Sequence, residues 1–275
     1  MTTMTTMTRV TTATALMSAE ARRLSSTRLW LWGLLGALAT GGLVFLLAMV
    51  GPENFDPPMP GLATAAGTQM LLGMAGLLAF VPALLGTTAV TAEYRHQTIT
   101  FTYLFAPRRG TVLAAKLSVY ALAGLAYGVI VAVVAGAGLV VAASVHGVSL
   151  GLPTSDVVGF LVRLVAMMTV YTLLGVAFGA LLRNQVTALV VLGGYFYMGE
   201  TLLLLIPGVN AVYPFLPGGA SAGLTGFTYV AQAVSQSGIS TPHLLSAPLG
   251  ALVLLGYVAV AAVLAFGTSL RRDVT

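Results

Sequence analysis

The chain contains no cysteine in 275 residues. That excludes a disulfide framework, a thiolate metal site and a cysteine nucleophile, and leaves the redox compartment unread. Charge is nearly as scarce. Only 7% of the residues are charged, against about 25% in soluble domains, so a water-facing surface cannot be built over this length. The three histidines, His96, His146 and His243, are scattered and no H-E-x-x-H occurs, which argues against an intramembrane metalloprotease and leaves no metal site to name. No G-x-x-x-x-G-K-[ST] occurs either, so the chain has no P-loop with which to bind ATP. No apolar run carries two acidic residues, as a proton relay would want.

What is present is apolar. Hydrophobic residues make up 58% of the chain and mean hydropathy is +0.97. Both values follow if lipid is the solvent for most of the surface. The predicted fold class is all-α: a polytopic membrane protein with six transmembrane helices. A helix needs about 20 apolar residues to cross the hydrocarbon, at about 1.5 Å per residue. Spans are predicted over 29–50, 68–90, 112–143, 157–182, 186–206 and 245–270. Pro82 is expected to kink the second, and Pro207 to end the fifth.

The first 28 residues are Thr-rich, with Met1, Met4 and Met7 in repeat. Residues 1–12 are expected to be a disordered tail, and 13–275 a single transmembrane domain. The run over 29–50 is longer than the roughly 7–15 residues of a signal h-region, so it reads as an uncleaved first helix.

Charge sets the orientation. With the N-terminus inside, the inner segments hold Arg9, Arg22, Arg23, Arg28, Arg95, Arg108, Arg109, Lys116, Arg183, Arg271 and Arg272, which is 11 of the 12 basic residues. The outer loops hold Glu53, Asp56 and Asp156 and no Lys or Arg. The positive-inside rule therefore predicts N- and C-termini on the cytoplasmic side. Trp30 and Trp32 fit an aromatic belt at the inner end of the first span. The net charge of +5 is explained by this topology and calls for no nucleic acid.

Four features stand out. The first is the inner segment between the second and third spans, about 91–111. It is too short for a catalytic domain. It can form a short helix across the membrane face, with Tyr94, Tyr103 and Phe105 beside Arg95, Arg108 and Arg109. Such a surface suits docking of a separate protein, or it serves only as a topogenic basic loop.

The run E-Y-R-H-Q-T, then P-R-R-G, then A-A-K-L resembles the bacterial ABC-2 type transporter permeases, the transmembrane subunits of ABC exporters. Their second and third helices are joined by a segment reading roughly E-x-x-x-G-T, P-x-R and A-K. Glu93, Thr98, Pro107, Arg109 and Lys116 fall on those positions, while Gln97 stands where Gly is usual. Chain length, six spans, both ends inside and a long last outer loop extend the resemblance across the chain. It implies a permease that pairs with a second permease copy, as homodimer or with a paralogue, in the bacterial cell membrane. It also implies separate ATP-binding cassette subunits that dock on the inner face and hold ATP and Mg. The chain itself would then need no cofactor and would not be an enzyme. Glu93, Tyr94, Arg95, Thr98, Pro107, Arg108, Arg109 and Lys116 are the implied coupling residues.

The second feature is the segment 13–28. On a helical wheel Met17, Ala21 and Leu24 make a narrow apolar face, with Ser18, Arg22 and Ser26 opposite and Glu20 at the border. A short interfacial N-terminal helix carrying Arg22 and Arg23 is expected, or else an irregular basic leader.

The third is a pair of charges inside predicted spans, Arg163 and Glu200. Charge at membrane depth costs at least about 2.5 kcal/mol, so each needs a role or a partner. Both sit about 10 Å below the outer surface by helical rise, on adjacent antiparallel spans. An intramembrane ion pair is predicted, as a clamp or as a gate. In the alternative, Arg163 snorkels toward Asp156 and leaves Glu200 alone.

The fourth is the outer region about 207–244, broken by Pro and Gly yet rich in apolar residues. A re-entrant helical element before the last helix is expected there, or an ordinary loop. The cluster Tyr195, Phe196, Tyr197 and Met198 leads into it and is a candidate substrate path, or a lipid-facing surface. Gly124, Gly128, Gly136 and Gly138 permit close helix packing, within the chain or between copies.

Three function classes follow. The first is the permease subunit of an ATP-driven exporter, moving hydrophobic or amphipathic drugs, lipids or peptides out of the cytoplasm or inner leaflet. The second is a proton- or ion-coupled secondary transporter. The third is a membrane enzyme or assembly factor, for which no catalytic constellation is visible.

Overall fold

The computed structural model describes residues 2–267 apart from 57, 106–107, 207, 229–230, 232–233 and 236–242, and leaves aside the side chains of 2–12, 101, 105, 196 and 197. Among the described residues the fold is all-helical, without strands. In chain order the helices are α1 (Thr2–Ser26), α2 (Leu29–Val50), α3 (Ala65–Leu77), α4 (Phe80–Arg95), α5 (Ile99–Phe105) and α6 (Arg109–His146). They continue as α7 (Thr154–Leu182), α8 (Gln185–Gly194), α9 (Glu200–Leu205), α10 (Pro217–Thr225) and α11 (Ala247–Gly267).

Five stretches are long and apolar enough to cross a membrane: α2, α3 with α4, α6, α7 and α11. The protein is membrane-embedded. Its outside is apolar, with Trp32, Leu122, Val133 and Val263 each more than 60% exposed. In water such a surface would aggregate, whereas in lipid it is the solvated face.

The predicted second span bends where Pro82 dictates. Proline cannot donate to the carbonyl four residues back. The ladder tightens instead, with Leu78 N–H donating to Ala75 O, Ala79 N–H to Gly76 O and Val81 N–H to Leu78 O. The break between α3 and α4 falls at Leu78 and Ala79, one turn ahead of the proline.

The predicted fifth span is not one α-helix. Residues 185–205 stay helical, but α8 and α9 are separated by a π turn, Tyr195–Gly199, in which Glu200 N–H donates to Tyr195 O. Gly194 and Gly199 flank the turn and weaken the α ladder there. At the N-terminus the backbone is helical over Thr2–Ser26. No Gly or Pro precedes Gly33, so nothing in the backbone interrupts a helix that starts this early.

Small residues set the packing, as lipid offers no hydrophobic drive between helices. Gly86 of α4 lies on the Thr172 carbonyl of α7, and Gly175 of α7 lies on the Ala83 carbonyl of α4. Thr87 Oγ1 in the same crossing donates to Gly175 O at 3.1 Å. The glycines of α6 are used within the chain: Gly124 and Gly128 meet the α7 backbone, Gly136 meets Leu161, and Gly138 meets Phe45 of α2. The two ends of the bundle differ in charge. Arg23, Arg95, Arg109, Lys116 and Arg183 meet at one end through the contacts described next. At the other end, Gly151 N–H donates to Leu62 O between the two loops that carry Glu53, Asp56 and Asp156.

Candidate functional site

The basic end contains a buried network of four charges. Glu93 at the end of α4 is 4% exposed, Lys116 in α6 is 2% and Glu20 in α1 is 5%. Lys116 Nζ donates to Glu20 Oε2 at 2.8 Å and to Glu93 Oε1. Arg23 Nη1 reaches Glu93 Oε1 at 2.5 Å and Glu20 Oε1 at 3.4 Å, and its Nη2 reaches Thr102 Oγ1 of α5 at 3.4 Å. Two carboxylates face two cations, so the group is neutral. Such a cluster is stable only when every charge is answered. It joins α1, α4, α5 and α6.

This changes the roles expected for three residues. Glu93 and Lys116 are not docking residues on a surface, because both are enclosed and spent on each other. Arg23 turns inward to them, while Arg22 stays exposed. The buried side of α1 is centred on Glu20, with Leu24 beside it, and Ala21 is exposed. Glu20 lies in the packed face rather than at its border, because Lys116 supplies the charge that allows its burial.

The turn after α4 positions the next helix. Thr98 N–H donates to Glu93 O at 3.0 Å and Gln97 N–H to Tyr94 O at 3.2 Å. That pattern is a Schellman cap, which calls for a left-handed residue at its fifth position. Gln97 occupies it with φ 57°. The same cap ends α6, where Val148 N–H donates to Ala143 O, Gly147 N–H to Ser144 O, and Gly147 has φ 66°. Gln97 therefore makes the turn that glycine makes more easily, at a cost of about 1–2 kcal/mol in left-handed backbone.

The chain then runs into α5, a seven-residue helix between two spanning helices. Ile99, 2% exposed, anchors its start. Tyr103 lies under Arg109, whose guanidinium carbon is 5.0 Å from the ring centre, and its hydroxyl is 3.4 Å from that of Tyr94. Arg183, from the left-handed cap of α7 (φ 55°), covers the Tyr94 ring at 5.4 Å. Burial first, and then the Tyr94 hydroxyl, pushes the Tyr103 phenol above its ordinary range and keeps it neutral. Exposed along this stretch are Arg95, His96, Gln97, Thr98, Thr100, Leu104 and Arg108. Leu104 is 71% exposed. Arg95 reaches Gln185 Oε1 at 3.4 Å. Pro107 lies outside the described residues.

At the opposite end, the predicted pair is not formed. Arg163 is exposed on α7 and has no ion-pair partner among the described residues; Asp156 accepts from Ser155 instead. Glu200 is 3% exposed and accepts from Gly218 N–H at 2.6 Å, at the start of α10. The π turn and the packing of α10 give the carboxylate a backbone donor, and Arg163 turns to the outside of the bundle. A Cβ at Gly218 would meet the carboxylate, so the bare backbone is what lets it close. Among the described residues, Glu200 Oε1 is buried without a hydrogen-bond partner. It borders a cavity of about 170 Å³ lined among others by Phe80, Met167, Tyr171, Tyr213, Ser221 and Phe227.

The outer region is built of short helical pieces, a 3-10 segment over Val209–Phe215 and then α10, packed on α7 and α11. Of the candidate path over 195–198, Met198 is 66% exposed, Tyr195 is half-buried, and neither borders the Glu200 cavity. The side chains of Phe196 and Tyr197 lie outside the described residues. Glu20 and Arg183 were missed by sequence reasoning. Glu20 carried a signal, being the sole acid before Glu53 and three residues from Arg23. Arg183 carried none beyond its sign.

No model of a known protein family matches the chain, and no curated protein matches it.

Proposed function

We propose that this chain is the transmembrane permease subunit of an ATP-driven exporter, crossing a bacterial cell membrane six times with both ends in the cytoplasm. The observation that carries the reading is α5. A short helix is held between two spanning helices by a neutral charge network and two cation–π contacts, and it presents Leu104 outward between the exposed Arg95 at the end of α4 and Arg108 ahead of α6. A rigid, tethered element of this kind can pass a push on Leu104 and Arg108 into α4 and α6. That is what coupling to a separate ATPase demands. ATP and Mg would bind in that partner, and a second permease copy would complete the translocation unit. The span that joins the other five is the fifth in chain order, 185–205, whose 21 helical residues extend about 31 Å at 1.5 Å each, about the hydrocarbon thickness.

Gentle solubilisation of a tagged chain tests the partner. The expected result is copurification of a P-loop ATPase whose hydrolysis responds to the permease. Leu104→Asp with Arg108→Ala should cut that stimulation while leaving the fold intact. A chain that brings down no ATPase, or a variant pair with unchanged coupling, overturns the reading. Topology is tested separately, because the chain is free of cysteine. Ser155→Cys should react with an impermeant maleimide on intact cells, and Thr111→Cys only after permeabilisation. The reverse pattern would invert the orientation. An ion-coupled secondary transporter draws on one observation, the unpartnered oxygen of Glu200. Transport that persists without ATP would favour it.

A further inference from the structure

The Glu200 cavity is unlike the rest of the interior. It combines a buried carboxylate oxygen that has no hydrogen-bond partner with four aromatic rings, Phe80, Tyr171, Tyr213 and Phe227, and with the thioether of Met167. Among the described residues no Lys, Arg or His borders it. The charge of Glu200 is met on one side only, by the backbone N–H groups of Gly218 and Gly219 at the start of α10. That end of a nine-residue helix carries a partial positive charge, which offsets a carboxylate only in part. The other oxygen stays uncompensated in a low-dielectric site, where an unpaired carboxylate is costly.

From the geometry we infer that this cavity is a binding site for a cationic ammonium group, the head of a lipophilic amine. Three features select that chemistry. A carboxylate oxygen asks for a donor, and a charged N–H donor makes the stronger bond. Aromatic faces attract organic cations and offer nothing comparable to an anion. Apolar walls suit the first carbons of the amine rather than a hydrated metal ion. Size agrees as well: about 170 Å³ is more than ten times the roughly 10–15 Å³ that one water needs. The rim is also informative. Leu77 is 49% exposed and Thr201 is exposed, so the cavity borders the outside of the bundle, where an amphipathic amine resides in lipid.

The π turn adds an independent reason to read the site as built. A single π turn inside an α-helix is rare and recurs at functional positions. Here it immediately precedes Glu200, whose N–H closes it on Tyr195 O. Gly218 then allows the backbone donor to approach the carboxylate.

The inference deepens the exporter reading by naming a ligand class, and its test needs no ATPase, so the two can fail separately. The full chain in lipid nanodiscs is titrated with benzylammonium and, in parallel, with benzyl alcohol, a neutral molecule of nearly the same shape. Binding is read by calorimetry and by the shift in thermal unfolding. Benzylammonium is expected to bind at least about tenfold more tightly than the alcohol, through the charged hydrogen bond and the aromatic faces. Glu200→Gln keeps an acceptor for Gly218 N–H but presents an amide to the cavity, and should remove that preference. Phe80→Leu should weaken the amine by about two- to tenfold and leave the alcohol nearly unchanged. Equal binding of amine and alcohol by the native chain, or no binding of either, overturns the proposal without reference to any variant. Amine preference that survives in a folded Glu200→Gln protein overturns it too.

Discussion

Glu93 and Glu200 are two carboxylates buried to nearly the same degree at opposite ends of one bundle, 4% and 3% exposed, and they are answered in different ways. Glu93 receives two full cations, Lys116 and Arg23, brought from two other helices. Glu200 receives only backbone N–H groups, those of Gly218 and Gly219 at the start of α10. Each acid has one oxygen without a hydrogen bond. For Glu93, however, the charge shared over both oxygens already faces two cations. The difference teaches what each end can do. A saturated, neutral network is a clamp: it fixes helices against each other and has no capacity left for a ligand. A half-answered acid beside a cavity is a receptor, because an added cation improves its energy.

The comparison can be broken most forcefully at Lys116. Lys116→Ala leaves Glu20 and Glu93 buried with Arg23 alone, and is expected to destabilise the chain by about 3–5 kcal/mol, read as thermal unfolding in detergent. Adding Glu20→Gln should recover part of the loss. A neutral single variant would show that the network is not a clamp. The outer acid should matter less. Glu200→Ala strands only backbone N–H groups at the start of α10 and is expected to cost about 1–3 kcal/mol; a loss as large as that of Lys116→Ala would erase the distinction between the two ends.

Smaller effects sharpen the picture. Gln97→Gly should raise stability by about 0.5–1 kcal/mol by relieving the left-handed backbone, whereas Gly147→Gln at the matching cap of α6 should lower it by a similar amount. Equal and negligible effects at both caps would remove the argument for strain. Arg163→Gln is expected to change stability by less than about 0.5 kcal/mol, since no ion-pair partner faces it among the described residues. A loss of several kcal/mol would restore the predicted pair with Glu200.

Much of the fold was legible before any coordinates, and the reasons are local. Apolar runs of spanning length report the helices in lipid directly. Pro82 announces its break because the missing N–H acts on its own helix, one turn away. The charged loop announced itself by its sign and by spacing that the cap then explained: Gln97 sits where the turn needs a left-handed residue. Other features were not legible. Residues 185–206 read as one helix, since a π turn alters hydrogen-bond register without altering hydropathy. Arg163 and Glu200 share a depth, but depth does not tell which face of a helix a side chain takes.

The linear chain decided the solvent, the number of apolar runs and the asymmetry of charge between the two ends, since each depends on composition within one segment. Only the packed bundle decided which charges meet. Lys116 lies 23 residues from Glu93 and 96 from Glu20, and Glu200 lies 18 from Gly218. Those pairings depend on the rotation and crossing of helices, which small residues such as Gly86, Gly175 and Gly218 set through backbone contact. The scarcity of charge and the long apolar runs thus identified a membrane protein, and tertiary contact sorted its few charges into one closed clamp and one open acid.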